Sequence, residues 1–454
     1  MRFRLKVLST GILVLSLPSV VLTFSQDRCV SLCTRSLRVR ESFRCEASLA
    51  SVAENAKTSG PEQSPESESL SRKQKASANS AREDTSFLRK RTADLLRITS
   101  EGYESGPDSN SILSSRGMKV DRKTFNWLID AWAFSGELDA ADKATSLLSR
   151  MEKLYETSST PHLFRPDVRS YTKVVNAISR SGRPDSGEMA HEVLLRMEKL
   201  YLAGKNKTAK PNTFTYTAVV EAFANSGAEG AASKAEDICD IMVQKWADKD
   251  PDVRPTARSF NAVINAWAKS GEDGAAQQAE NVFEQMYEVY EAGNVDAKPN
   301  AFNFNSVITA WANCREDGSA KRAEEVLGRM EAQYRAGDED AKPTTVSYNA
   351  VIDAWAKSGD EDAACRAEEN LRHMEDLFET GENIDAKPNV RSFNSVINAW
   401  AKSGRDDAAL KAEEVLDLME KLYEEGNEDV RPDVHSFCTV INGKNHRNPR
   451  SLRH

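Results

Sequence analysis

An aromatic residue recurs at Phe125, Tyr171, Tyr216, Phe260, Phe304, Tyr348, Phe393 and Phe437, at spacings of 46, 45, 44, 44, 44, 45 and 44 residues. Each of the first seven is followed 39 to 41 residues later by a proline: Pro166, Pro211, Pro255, Pro299, Pro343, Pro388 and Pro432. A period of this length means one supersecondary unit copied and stacked. It covers residues 122–433 of the 454-residue chain. Any function of such a chain comes from a surface that the copies share, not from a single pocket.

One copy, 257–300, shows what the unit encodes. Phe260, Val263, Ile264 and Trp267 stand at i, i+3, i+4 and i+7, one apolar stripe of a helix. Ser259 is placed to cap its start and Gly271 to end it in the left-handed conformation. Gly136, Gly182, Gly227, Gly359 and Gly404 recur at the same place, and only Arg315 departs. Ala276, Ala279, Val282, Phe283, Met286, Val289 and Tyr290 predict a second helix, over about 275–291. A loop then runs to Pro299, which holds the residue before it extended. Helix, tight turn, longer helix and loop, repeated seven times, predict an all-α solenoid, because a lone pair cannot bury its stripe and stacked pairs can. Met151, Met197, Met242, Met286, Met330, Met374 and Met419 share one stripe position. Trp132, Trp267, Trp311, Trp355 and Trp400 share another, with Ile178 and Phe223 as substitutes. Both sets are expected to fill the core.

Two polar positions are not explained by the core. Directly after the aromatic come Asn126, Thr172, Thr217, Asn261, Asn305, Asn349 and Asn394, and then Cys438. Directly after the proline come Asp167, Asn212, Thr256, Asn300, Thr344, Asn389 and Asp433. Short amide, hydroxyl and carboxylate side chains offer donors and acceptors at fixed reach, which recognition of a base edge needs.

The run Ser259-Phe260-Asn261-Ala262-Val263-Ile264, the Lys269-Ser270-Gly271 turn, Ala279, Met286 and Lys298-Pro299-Asn300 resemble the pentatricopeptide repeat family, with unusually long repeats of 44 to 46 residues. The repeats are 122–167, 168–212, 213–256, 257–300, 301–344, 345–389 and 390–433. The resemblance implies a right-handed α-solenoid of helix-turn-helix repeats whose first helices line a groove for single-stranded RNA, one nucleotide per repeat. The implied base-reading pairs are Asn126 with Asp167, Thr172 with Asn212, Thr217 with Thr256, Asn261 with Asn300, Asn305 with Thr344, Asn349 with Asn389, and Asn394 with Asp433. They imply a target 5′-U-A-N-Y-Y-Y-U-3′. The family's base-stacking position holds Lys123, Arg169, Phe214, Arg258, Phe302, Val346 and Arg391, then His435. Its phosphate contacts fall on Arg180, Lys269, Lys357 and Lys402. The basic residue before each closing proline (Arg165, Lys210, Arg254, Lys298, Lys342, Lys387, Arg431) is either a further phosphate contact or a solvated loop charge. The added length separates the closing position from the second helix, so the pairing requires the loop to bring Asn300 and its counterparts back to the groove.

Charge bears on the choice of partner. The chain has 61 basic and 70 acidic residues, net −9. The copy 257–300 has three basic and seven acidic residues. Glu280, Glu284, Glu288 and Glu291 are expected on the polar face of the second helix, away from the groove. An acidic face of this kind also suits a scaffold for protein partners, the alternative reading.

The segment 1–24 is signal-peptide-like, with Arg2, Arg4 and Lys6 ahead of an apolar run that is marginal for spanning a membrane. Residues 25–50 are transit-peptide-like, 51–84 linker-like and disordered in composition, and 85–121 a degenerate capping region. Residues 434–454 hold a partial eighth repeat and a basic tail. This order favours a plastid over a mitochondrion as destination. The seven cysteines form no C-x-x-C and are expected as free thiols. No metal site, cofactor or catalytic residue is expected: there is no H-x-E with a C-x-x-C pair and no Gly-rich phosphate loop.

Overall fold

The computed structural model describes residues 4–7, 12–17, 20–25, 85–97, 99 and 120–445, apart from position 315. The expectations for 26–50, 51–84, 98, 100–119 and 446–454 lie outside the described residues. Arg4–Val7, Ile12–Leu17 and Val20–Ser25 pair as a three-stranded antiparallel sheet. The signal-like reading of 1–24 did not anticipate strands, although the Val- and Ile-rich composition suits them. Among the described residues, no helix is long and apolar enough to cross a membrane.

The repeats form an all-α solenoid. First helices run Arg122–Ala133, Val168–Ser181, Thr213–Ser226, Ala257–Ser270, Ala301–Asn313, Thr345–Ser358, Val390–Lys402 and Val434–Asn445. Second helices run Ala140–Thr157, Ser186–Leu202, Ala231–Ala247, Ala275–Glu291, Ser319–Arg335, Ala363–Glu379 and Ala408–Glu424. Each first helix packs on the first helices before and after it, on its own second helix and on the second helix of the preceding repeat. First helices therefore make a continuous row, and second helices lie behind it. The Met position is fully buried throughout, and the five tryptophans, Ile178 and Phe223 are buried as well.

The interface between repeats is tied by polar pairs set in this core. The Trp267, Trp311 and Trp400 indoles donate to Glu236, Glu280 and Glu368 on the preceding second helix, at 2.7, 3.0 and 2.9 Å. Glu280 is therefore buried between repeats, not on a solvated back as expected, and also bonds Arg322. Glu284 pairs with Arg329, while Glu288 and Glu291 are exposed. The Trp132 indole finds Thr92 at 2.8 Å, so the helix at 85–97 takes the place of a preceding second helix. Leu88 and Leu95 bury its inner face.

The loops explain how the longer repeat closes. Five of the seven loops carry a short 3-10 turn ending on a buried small residue: Ala209, Ala297, Ala341, Ala386 and Val430. Ahead of three of these turns sits a buried asparagine. Asn206, Asn294 and Asn383 donate Nδ2 to the carbonyls of Pro166, Pro255 and Pro343, at 2.7, 2.8 and 2.8 Å. Each bond clips a loop to the closing proline of the preceding repeat, so the added residues fold back toward the point where their own repeat begins. The basic residue before the proline then reaches the next loop: Lys210 to Asp250 and Asp252, Lys298 to Asp338 and Asp340, Lys342 to Asp385, Lys387 to Asp429. These four lysines stay partly exposed, but each is paired with carboxylates of the following loop. They form a ladder of ion pairs between loops.

One interface position is incompletely matched. Tyr171 and Tyr348 donate to Glu152 and Glu331, the residue after the core methionine, at 2.8 and 2.6 Å, and Tyr216 does the same to Glu198. Burial pushes the Glu331 carboxyl up, but hydrogen bonds from His373 and Tyr348 outweigh it and hold it below its ordinary value. In the last full repeat the aromatic is Phe393, which has no hydroxyl to offer Glu375. Burial first, then Glu379 and Asp376, push Glu375 up to about 7.

Two outcomes are expected. Replacing Asn294 by Ala leaves the Pro255 carbonyl unpaired and lowers stability by about 1–3 kcal/mol in urea unfolding, whereas Ala at exposed Asn281 changes it little. Because Glu375 titrates higher in the fold than in the unfolded chain, its ionisation destabilises increasingly as pH rises from about 4.5 through 7. Glu375→Gln therefore stabilises more at pH 8 than at pH 5 in paired denaturation curves, and Phe393→Tyr narrows that difference.

Candidate nucleic-acid interface

The first turns of neighbouring first helices carry the two unexplained polar positions, which touch at Asn349–Asn389 and Asn394–Asp433. Helix Ala257–Ser270 is capped by Thr256, not by Ser259 as expected. Ser259 is the third residue of a capping box, its amide donating to Thr256 Oγ1 at 3.2 Å and its hydroxyl receiving the Thr256 amide at 2.8 Å. The closing residue of one repeat is thus the N-cap of the next. Asp167 Oδ1 accepts the Ser170 amide at 3.0 Å, Asn212 Oδ1 the Thr215 amide at 3.2 Å, and Asn300 Oδ1 the Phe302 amide at 3.0 Å. Asn389 Oδ1 accepts the Arg391 amide at 3.0 Å, and Asp433 Oδ1 the Ser436 amide at 2.9 Å. The Thr344 amide donates to Ser347 Oγ at 3.0 Å. These bonds fix the closing side chains at the helix starts, and place Asn389 and Asp433 beside the first helix of the repeat each closes.

The contacts between paired positions follow. Asn349 Nδ2 donates to Asn389 Oδ1, and Asn394 Nδ2 to Asp433 Oδ1, each at 3.3 Å. Asn261 is reached from the next first helix, its Oδ1 accepting from Asn303 Nδ2 at 3.4 Å and Ser306 Oγ at 2.9 Å. Thr172 is engaged by the Val168 carbonyl and Thr215 Oγ1, both at 2.8 Å. In the other five repeats a polar atom at the reading position is shielded and has no partner: Asn126 Oδ1, Thr217 Oγ1, Asn305 Oδ1, Asn349 Oδ1 and Asn394 Oδ1. Thr217 and Asn349 are buried, and the other reading residues are half-buried. An orphaned carbonyl costs about 1–3 kcal/mol, so a position selected for stability alone would not hold an amide here so often.

The predicted stacking residues stand on the open side of the same turn. Lys123, Arg169, Arg258, Arg391 and His435 are exposed, as are Phe214 (74%), Phe302 (77%) and Val346 (64%). Phe214 and Phe302 thus turn apolar rings to solvent two residues before the buried Tyr216 and Phe304, leaving open surface for contact. Arg258 grips Glu221 through Nε at 2.6 Å and Nη2 at 3.1 Å, and Arg391 pairs with Asp353. At the last full repeat, Asn389, Arg391, Asn394, Asp433 and His435 line one open cavity of about 620 Å³. It unites a reading pair with the stacking residues on either side.

The predicted phosphate residues lie apart from these. Lys269, Lys357 and Lys402 are exposed in the last turn of their helices, about 12 Å along the axis from the reading position at 1.5 Å per residue. None makes an ion pair among the described residues. Arg180 lies over the exposed Phe134 ring at 4.1 Å. Sequence reasoning missed the capping duty of the closing residues, the asparagine clips and the carboxylates Asp130, Glu221 and Asp353 beside the stacking row. The recurrent Gly-Asn or Gly-x-Asn in the loops signals the clips. No group of side chains suited to a metal ion occurs among the described residues.

A family profile described as a pentatricopeptide repeat domain matches residues 289–358, and one described as a PPR repeat matches 391–426. The chain carries pentatricopeptide repeats. Solved structures with similar folds include the pentatricopeptide repeat protein PPR10 in complex with an 18-nt psaJ RNA element, at 22% identity and TM-score 0.47. That match covers 74% of this chain and 39% of PPR10. The pentatricopeptide repeat protein PPR10 from maize matches at 19% identity and TM-score 0.40, over 74% of this chain and 43% of that one. The chain thus spans about two fifths of the length of these structures. A comparison with curated proteins gives no match.

The orphaned amides give an expected outcome for stability. Asn305→Ala removes a shielded carbonyl and inserts a better helix former, so stability holds or rises by up to about 1 kcal/mol. Asn303→Ala, which deletes a bond from Nδ2 to the Ala257 carbonyl at 3.0 Å, lowers it by about 1–3 kcal/mol. Chemical denaturation of the two variants separates a position kept for the fold from one that is not.

Proposed function

We propose that the row of first helices binds single-stranded RNA, one base per pentatricopeptide repeat, and that the protein acts without catalysis in the processing, stability or translation of an organellar transcript. The observation that carries this reading is the contact between reading and closing side chains at Asn349–Asn389 and Asn394–Asp433, beside exposed stacking residues. A nucleotide seated there has its base edge against two short polar groups and its faces against the stacking row.

The chemistry of each pair follows from what capping leaves over. The cap takes one oxygen of a closing residue. A closing Asn keeps an NH2 donor, which suits the ring acceptor of cytosine (N3) or adenine (N1). A closing Asp keeps a second oxygen, which suits the N3–H donor of uracil. Asp433 thus supports a preference for U at the last full repeat, and Asn212 for A or C at the second. At the first repeat, Arg122 pairs with Asp167 Oδ2 at 3.4 Å and competes for the same oxygen. The implied order, 5′-U-A-N-Y-Y-Y-U-3′, agrees with these donors and acceptors at the positions they decide.

The acidic balance does not oppose this reading, because many carboxylates are engaged in ties between repeats. The alternative partner is a basic protein on the acidic faces of the second helices. The signal-like and transit-like stretches support a plastid destination, with the mitochondrion as alternative, and imaging of a fluorescent fusion tests it.

The binding test uses Asp433→Asn. Asn also caps helices, so the fold is kept, while an acceptor facing the base becomes a donor. Preference at the base met by the last full repeat shifts from U toward C by about 1–3 kcal/mol, on the scale of a specific base contact, and preference at the other positions is unchanged. Equal affinity of the unaltered protein for 5′-UANYYYU-3′ and an all-purine RNA, by fluorescence anisotropy, would contradict the reading.

A further inference from the structure

One position of the first helix falls outside both the core and the predicted contact residues. Five residues after the aromatic stand Asp130, Asn176, Glu221, Asn265, Thr309, Asp353 and Asn398, one helical turn beyond the reading position. The stacking residues of the next repeats are, in order, Arg169, Phe214, Arg258, Phe302, Val346, Arg391 and His435. An acid is followed by arginine all three times. A neutral residue is followed by Phe, Phe, Val or His, never by arginine. The helices that carry these pairs are neighbours in the row, and the contacts show what links them.

Glu221 takes Arg258 in a two-pronged grip at 2.6 and 3.1 Å, which fixes the plane of the guanidinium. Asp353 takes Arg391 and is itself held by Ser395 Oγ. Asp130 takes Lys173, one turn on from Arg169 along the same helix. Glu221 and Asp353 are half-buried while their arginines are exposed, so each carboxylate lies beneath a guanidinium whose outer side faces solvent. A free arginine in this row would attract any phosphate backbone that entered. A paired one presents a flat, nearly neutral plate.

We propose that Asp130, Glu221 and Asp353 determine specificity by cancelling the charge of the basic residues set against them from the next repeat. Glu221 and Asp353 also hold their guanidinium planes for stacking. Arg258 and Arg391 then contact a base as Phe214 and Phe302 do, and the row discriminates by base edge and not by attraction to phosphate. This rests on the RNA reading above and deepens it.

The test compares the full chain with its Glu221→Gln/Asp353→Asn variant, using 5′-UAACUCU-3′ and heptaadenylate as probes across a salt series. Each freed arginine adds about 0.7 to the slope of log affinity against log salt on a single strand. The variant is therefore expected to bind heptaadenylate more tightly at low salt, with a slope steeper by about 1.4, and to lose at least about threefold in the ratio of the two affinities. An unchanged slope, or a ratio that rises, overturns the proposal. Because the double variant could weaken packing, a second pair builds the device where it is absent. Phe302→Arg alone steepens the slope, and Phe302→Arg with Asn265→Glu restores it; failure to restore it also overturns the proposal. If the unaltered protein binds neither probe, the RNA reading falls and this proposal with it. If it binds with slopes that the variants do not move, only the charge-cancelling role falls.

Discussion

The side chain that caps each first helix is the constraint on which the rest of the structure depends. A helix start leaves backbone amides unsatisfied, and here Asp, Asn or Thr accepts one of them. In the repeat chain this capping residue also ends the preceding copy. The same bond therefore joins two repeats, sets the entry angle of the next helix and holds a polar group beside the reading position of the copy it closes. Under the proposed function one residue serves both stability and recognition, since the capping oxygen is used without consuming the side chain's other polar group. That division of labour makes a variable Asp, Asn or Thr compatible with a constant fold.

Charge in this molecule is distributed by pairing. The chain is acidic overall, yet carboxylates are used between repeats: Glu280 beneath Trp311, Asp338 and Asp340 against Lys298, Glu221 against Arg258. Ion pairs between exposed side chains contribute little stability each, about 0–1 kcal/mol. Their effect here is positional. They keep the loops in register, and they set which cations on the first-helix row are free. Lys269, Lys357 and Lys402 make no ion pair among the described residues, at the far end of the same helices. The unpaired cations and the proposed reading positions thereby lie on separate turns of the same helices.

Much of the fold was legible, because burial imposes a period. The stripe Phe260, Val263, Ile264, Trp267 marks a helix whatever surrounds it, and the second helix has the bounds its apolar stripe predicts. Gly271 takes φ 68°, as a residue past a helix end does. Contacts that cross between copies were less visible. Ser259 and Thr256 are both good capping residues, and choosing between them requires knowing where the chain turns. Glu280 reads as a surface residue by period, but a neighbouring tryptophan covers it. The bond from Asn294 to the Pro255 carbonyl joins a side chain to a backbone atom 39 residues away and has no hydrophobic signature. The reading and closing positions were identified by their restricted alphabet. What brings them together was not. The alternation of acid and arginine lies open in the sequence, yet it has meaning only once Glu221 and Arg258 are seen to touch.

The central claim is that successive repeats meet successive nucleotides along the row of first helices. Phe214 and Phe302 are exposed on that row two repeats apart. Replacing each in turn by a photoreactive phenylalanine analogue and mapping the crosslinked nucleotide on a bound 5′-UAACUCU-3′ tests the claim most directly. The account predicts crosslinks two nucleotides apart, with that from position 302 nearer the 3′ end. Crosslinks to the same nucleotide, in the reverse order, or scattered along the strand would contradict it.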